Sequence, residues 1–168
     1  MQPRRLVLVR HAQAAGAPVD EDRPLTERGA RRAAAIGSWL GHAGLVPDRV
    51  LVSPARRAQQ TWKHASASLV PTPPPIVDAR IYENTVAAVL EAIGEVSEGV
   101  RTLVVVGHNP SIGELTTVLD DGQGNPTAQR DVRSGFPAGG VAVFTVDTPF
   151  ADITPGAATL SDFAVPAD

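Results

Sequence analysis

Short runs of Val and Leu alternate along this 168-residue chain with stretches in which apolar residues return every three or four positions. Runs of the first kind, bounded by turn residues, read as buried strands, and the 3.6-residue spacing reads as helix. The predicted strands are 5–9, 49–53, 76–78, 102–106, 140–146 and 159–163. Between them Ala30, Ala33, Ala34, Gly37 and Leu40 mark one helix, opened by Thr26 as an N-cap after Pro24. Ala58, Thr61, Trp62, Ala65 and Leu69 mark a second, Val86, Val89, Leu90 and Ile93 a third, and Ile112, Leu115 and Leu119 a fourth. Strands alternating with helices predict an α/β fold: a three-layer α/β/α sandwich with a central, mostly parallel mixed sheet, in one domain over residues 1–168.

Between the periodic stretches, Pro71-Thr72-Pro73-Pro74-Pro75 cannot continue a helix and reads as a short extended connector. Residues 120–139, rich in Gly, Asp, Asn and Pro, read as a long loop beside the site. Gly122-Gln123-Gly124 follows a helix rather than a strand, so it is a poor dinucleotide fingerprint.

Composition narrows the chemistry. A net charge of −3 lacks the basic footprint of a polymeric nucleic-acid binder, so no nucleic acid is expected as partner. With no cysteine, disulfide scaffolds, thiolate nucleophiles and cysteine-ligated zinc are excluded. The chain start has too short an apolar run after Arg4-Arg5 for a signal peptide and reads as a first strand. No apolar stretch approaches the roughly 18–20 residues of a spanning helix, so no membrane partner is expected and the cytoplasm is the expected compartment.

Arg10-His11 closes one predicted strand and Gly107-His108 another. In open α/β sheets chemistry gathers beyond the carboxyl ends of parallel strands, so two histidines far apart in sequence are expected in one pocket. Two strand-to-helix junctions look alike, Val52-Ser53-Pro54-Ala55-Arg56 and Gly107-His108-Asn109-Pro110-Ser111. In each, a capping residue precedes a proline suited to the first helical position, and a helix start attracts anions. Arg56, in the opening turn, and Arg10 can each fork onto two phosphate oxygens. Arg10, His11, Arg56 and His108 thus predict a cationic pocket for a phosphoryl group, with Gly107 letting backbone approach the ligand. Metal-binding and nucleotide-loop motifs are missing, so neither metal nor cofactor is expected.

Leu8-Val9-Arg10-His11, Leu25-Thr26-Glu27-Arg28-Gly29, the segment Ser53 to Thr61 and Gly107-His108-Asn109-Pro110 together resemble the histidine phosphatase superfamily, with its phosphoglycerate mutase-like fold. The compact length and the Arg-His-Ala form are similar to its SixA-like phosphohistidine phosphatase branch. The resemblance implies that His11 attacks phosphorus and forms a phosphohistidine that water hydrolyses, while Arg10, Arg56 and His108 bind the phosphoryl group. A neutral imidazole is a competent nucleophile, and neighbouring cations disfavour its protonation. Glu83 matches the position of an acid that protonates the leaving group in relatives, which matters most for esters. Ala12 stands where the family commonly has glycine, so this turn must use ordinary backbone angles.

Gln13 and Asn109 are further candidates for substrate contact. Arg57 is read as bracing a helix against an acidic neighbour, Ser53 as a cap, His42 and His64 as surface residues, and Trp39 and Trp62 as packing. The expected substrate is phosphohistidine on a protein partner. The alternatives are a small phosphomonoester such as a sugar or nucleotide phosphate, and a phosphate-binding regulatory module without catalysis.

Overall fold

The structure is a computed structural model describing residues 2–167. Six strands, β1 (Arg4–Arg10), β2 (Arg49–Val52), β3 (Ile76–Val77), β4 (Thr102–Gly107), β5 (Val141–Val146) and β6 (Ala158–Ala164), form one sheet in the order β3-β2-β4-β1-β5-β6. The β3, β2, β4 and β1 strands run parallel, whereas β5 is antiparallel to β1 and β6 to β5. The mostly parallel mixed sheet expected from the alternation is therefore observed, and every predicted strand lies within two residues of its place.

Alternation along each strand divides the core in two. Val7, Val9, Val50, Val52, Val104, Val106, Val141 and Val143 face α1 (Glu27–His42) and α2 (Arg56–Ser66), meeting Ile36, Leu40, Trp62 and Ala65. Leu6, Leu8, Leu103, Val105, Ala142 and Phe144 face the other way, packing against Val89, Ala92 and Ile93 of α4 (Val86–Gly94) and Ile112, Leu115 and Leu119 of α5 (Ser111–Leu119). Each fully buried Val, Leu, Ile or Phe side chain contributes roughly 1.5–3 kcal/mol, so the two apolar layers fix the sheet between its helices. In α1, Gly37 brings that helix against the Ala65 carbonyl of α2, where a Cβ would collide. Thr26 caps α1 as expected, its side chain accepting from the Gly29 N–H. No described helix is long and apolar enough to cross a membrane.

Two helices escape the periodicity reading. A five-residue α3 (Ala79–Glu83) follows β3, started by Asp78 and stopped by Asn84, the one non-glycine described residue at positive φ, 66°. The supposed long loop contains α6 (Pro126–Arg133), which Asn125 caps at the Thr127 and Ala128 N–H groups while Pro126 takes the first turn. The Asn-Pro pair was a legible start signal there, but only Ala128 of that helix is buried, so no apolar stripe announces it.

Candidate active site

Strand register builds the site. Arg10 pairs with Gly107 across the parallel β1–β4 ladder, and the His11 N–H continues it by donating to the Gly107 carbonyl at 3.0 Å. The next residues on the two strands, His11 and His108, therefore leave the sheet side by side, with ring centroids 5.2 Å apart. The β2 strand adds Ser53 at the same end, its N–H bonded to the Val106 carbonyl at 3.1 Å. Both imidazoles are buried, His11 8 % and His108 4 % exposed. Gly107 serves packing: a Cβ would come within 2.9 Å of Ile81 Cγ2 and within 3.3 Å of Ile112.

The backbone around His11 is tied down at each step. The Ala12 N–H donates to Thr61 Oγ1 at 3.0 Å, and that hydroxyl donates to the Arg57 carbonyl at 2.7 Å. Ala12 has no positive φ, so the turn runs through ordinary backbone angles as the alanine required. Beneath it the Gly139 N–H donates to the Arg10 and His11 carbonyls at 3.1 and 3.0 Å. The end of the supposed loop over 120–139 is thus bonded to the end of β1.

Cations surround the pair, but one is not the residue expected. Arg10 donates from Nη1 to the Phe136 carbonyl at 2.9 Å, and burial lowers its pKa. Arg56 is exposed; it lines a groove of about 640 Å³ with Gln59, Lys63, Glu21 and Asp22, to which neither histidine contributes. Of the adjacent pair, Arg57 is the buried one, 6 % exposed, and its charge acts on both imidazoles. The expectation failed because Ser53-Pro54 does not start the helix: α2 begins at Arg56, and that phase turns position 57 inward. The signal was present, since Arg57 lies one turn before Thr61 in the stripe Ala58, Thr61, Trp62, Ala65.

Arg57 is held by Asp20, which sits in a short 3₁₀ turn, Asp20–Asp22, between β1 and α1. Its Nη1 donates to the Asp20 carbonyl at 2.8 Å and its Nη2 to Oδ2 at 3.1 Å. The Tyr82 hydroxyl donates to the same Oδ2 at 2.6 Å, and the Tyr82 ring stands edge-on to His108 at 5.7 Å. These bonds, Tyr82 first and Arg57 next, hold the Asp20 carboxyl down to about 2. Neither Asp20 nor Tyr82 was singled out from the sequence; an exposed turn acid and a helical tyrosine carry no motif.

Glu83 is exposed at the last position of α3, and the charges that act most on the two imidazoles do not include it. Gln13 is exposed and its Oε1 accepts from the Thr26 hydroxyl at 2.9 Å, which serves the start of α1. Asn109 spends its side chain on the fold: Nδ2 donates to the Phe136 carbonyl at 2.9 Å and Oδ1 accepts from the Gly113 N–H at 3.0 Å. Asn84 clips the same turn, donating to the Asn109 carbonyl at 2.8 Å and accepting from the Ser111 N–H at 3.0 Å. Among the described residues no group of side chains could hold a metal ion.

Electrostatics keeps both rings neutral. Burial, then the charges of Arg57, Arg10 and Arg23, pushes His11 down to about 4, against the raising effect of the Ala12 carbonyl. Burial, His11 and Arg57 push His108 down to about 3. The His11 Nδ1 lies 2.8 Å from the Ala12 carbonyl, which can only accept, so Nδ1 carries the proton and Nε2 keeps its lone pair. Three buried nitrogens here have no hydrogen-bond partner among the described residues: Arg10 Nε, Arg57 Nε and His108 Nδ1. Both arginine Nε atoms are N–H donors, and buried donors without acceptors are costly, which suits an oxyanion guest.

The model of the histidine phosphatase superfamily (branch 1) matches residues 6–88. Phosphohistidine phosphatase SixA of Escherichia coli is 33 % identical, over 73 % of this chain and 78 % of its own length. This chain belongs to the histidine phosphatase superfamily, branch 1. Among solved structures, the putative phosphohistidine phosphatase SixA from Nakamurella multipartitia is similar at TM-score 0.88 and 31 % identity, covering 100 % of this chain and 99 % of its own. Protein histidine phosphatase SixA complexed with tungstate is similar at TM-score 0.76 and 27 % identity, with 95 % of each chain covered. The family fold is phosphoglycerate mutase-like, and the chain is SixA-like within it.

Proposed function

We propose that this SixA-like phosphatase removes the phosphoryl group from phosphohistidine on a cytoplasmic protein partner, through a phosphohistidine intermediate on its own His11. The observation that carries the reading is the neutral imidazole of His11, its Nδ1 proton committed to the Ala12 carbonyl and its Nε2 lone pair free, set between Arg10, Arg57 and His108. In the first step that lone pair bonds to phosphorus as the bond to the leaving atom breaks and its electron pair departs with that atom. The guanidiniums of Arg10 and Arg57 offset charge on the phosphoryl oxygens, as preorganised donors do in a site of low dielectric. In the second step water attacks phosphorus, inorganic phosphate leaves, and the lone pair returns to Nε2.

The supply of protons supports the substrate class. An alkoxide leaves poorly without an acid. Asp20, the carboxylate whose charge reaches His108, is held ionised by Tyr82 and Arg57, and Glu83 stands exposed at the end of α3. Imidazole on a partner protein departs neutral when its second nitrogen already bears a proton, so a phosphohistidine makes the smaller demand. The test pairs two substrates with two proteins. Wild type is expected to clear a phosphorylated histidine-carrier domain faster than a chromogenic phosphate ester, and His11→Ala to lose at least about 10⁴-fold in turnover of both. Ester preference by orders of magnitude would reject the substrate, and full activity without the His11 ring would reject the mechanism.

A further inference from the structure

We infer that Ser53 is a positioning residue that sets the tautomer of His108, so that this ring presents an N–H to the phosphoryl group while His11 presents a lone pair. The inference deepens the phosphatase reading and rests on it for its consequence, but the tautomer itself is a property of the resting protein.

The argument is a count of donors and acceptors around one hydroxyl. Ser53 is completely buried, at the carboxyl end of β2, between the sheet and the start of α2. Its Oγ has two partners: the Ala55 N–H, which donates to it at 3.1 Å, and His108 Nε2 at 2.8 Å. A serine hydroxyl has one proton to give and two lone pairs with which to accept. Were Nε2–H the donor, the oxygen would accept twice and the hydroxyl proton would be stranded in the core, at the cost of an unsatisfied buried donor. Were the hydroxyl the donor, every group on Ser53 would be satisfied. The proton therefore points from Ser53 to Nε2, and the neutral ring carries its own proton on Nδ1.

That Nδ1 is the buried atom of His108 without a partner among the described residues. As a bare acceptor it would repel phosphoryl oxygens; as an N–H it joins Arg10 Nε and Arg57 Nε as a third donor. Burial and the neighbouring cations hold the ring neutral, so a single proton is available and its location decides what the ring can do. The two histidines thus share the Nδ1–H tautomer for different reasons. In His11 the Ala12 carbonyl takes that proton and frees Nε2; in His108 the Ser53 hydroxyl occupies Nε2 and frees the proton. Charge has little part in this, since the distinction between nucleophile and donor follows from which nitrogen each neighbour engages.

The experiment is two-bond ¹H–¹⁵N correlation of histidine-labelled protein at neutral pH, read alongside turnover of a chromogenic phosphate ester. In wild type His108 is expected with its proton on Nδ1 and a bare Nε2. In Ser53→Ala that signal moves to a mixture containing Nε2–H, the His11 pattern stays, and kcat/KM falls roughly tenfold, by analogy with loss of the group that orients a metal-ligating histidine. Ser53→Thr, which keeps the hydroxyl, restores the wild-type pattern and rate. A wild-type His108 protonated on Nε2 would overturn the inference without a variant having to fold. So would a Ser53→Ala protein with unchanged tautomer or unchanged turnover. If the wild-type pattern were as stated but the protein inert toward every phosphate, the phosphatase reading would fail while the tautomer assignment stood.

Discussion

Two junctions of nearly the same sequence logic, Ser53-Pro54 after β2 and Asn109-Pro110 after β4, are put to different uses. After β4, the asparagine remains with its helix: Asn109 Oδ1 accepts from Gly113 in the first turn of α5, and the neighbouring His108 turns into the pocket. After β2, the serine bonds no N–H inside its helix and accepts only from Ala55, the residue before α2. Its hydroxyl faces His108, α2 starts two residues after Pro54 without a side-chain cap, and Arg57 rather than Arg56 is buried. The amide reaches its own helix and the shorter hydroxyl meets a buried ring from the adjacent strand. A capping residue before proline therefore marks where a helix begins to within a turn, and tertiary partners decide the phase.

Between the two junctions, the largest expected effect lies in that phase. Arg57→Ala should lower kcat/KM for a phosphate ester by about 10²–10³-fold, as removal of one charge-stabilising donor does; equal activity of this variant and wild type would break the contrast between the junctions. At the β4 junction, Asn109→Ala leaves the Phe136 carbonyl and the Gly113 N–H each short of a bond, and should cost about 1–3 kcal/mol in urea denaturation. A stability loss there without a matching change in the first prediction's range separates a holding residue from one that meets phosphate.

The third expectation concerns pH and touches both junctions. His11 and His108 are depressed to about 4 and about 3 in the folded protein, below the ordinary 6.5, so the unfolded chain binds more protons between these values. Stability should therefore be fully present above about pH 6.5 and fall as pH drops towards 4, seen as a lower urea midpoint at pH 5 than at pH 7. Replacing His11 by alanine should flatten that slope; an identical slope would mean that its ring titrates normally. The smallest effect is expected of Arg56→Ala, within about 0.5 kcal/mol in stability and about twofold in ester turnover. A large loss of ester turnover would return Arg56 to the phosphate and undo the comparison.

The strands and the amphipathic helices were legible because their signal is local: buried β1, β2 and β4 are continuous apolar runs, and α1, α2, α4 and α5 carry stripes. The short α3 and the polar α6 were not, since one buried residue apiece leaves no period to detect. The pair His11 and His108 could be read as neighbours because each ends a parallel strand, and the observed register brings them together one residue past Arg10 and Gly107. Glu83, Gln13 and Asn109 were chosen by position in a motif, which says nothing of where a side chain is already engaged.

By itself, then, the chain's pattern of apolar runs and turns determined the sheet, the helices that cover it and the strand ends where the chemistry gathers. Only the tertiary structure decided which arginine faces that chemistry, that Asp20 and Tyr82 hold it in place, and which nitrogen of each histidine is free. The physical reason is range. Periodicity is set by neighbours along the chain, whereas the helix phase at Arg57 and the proton on His108 depend on partners 37 and 55 residues away, brought close by folding.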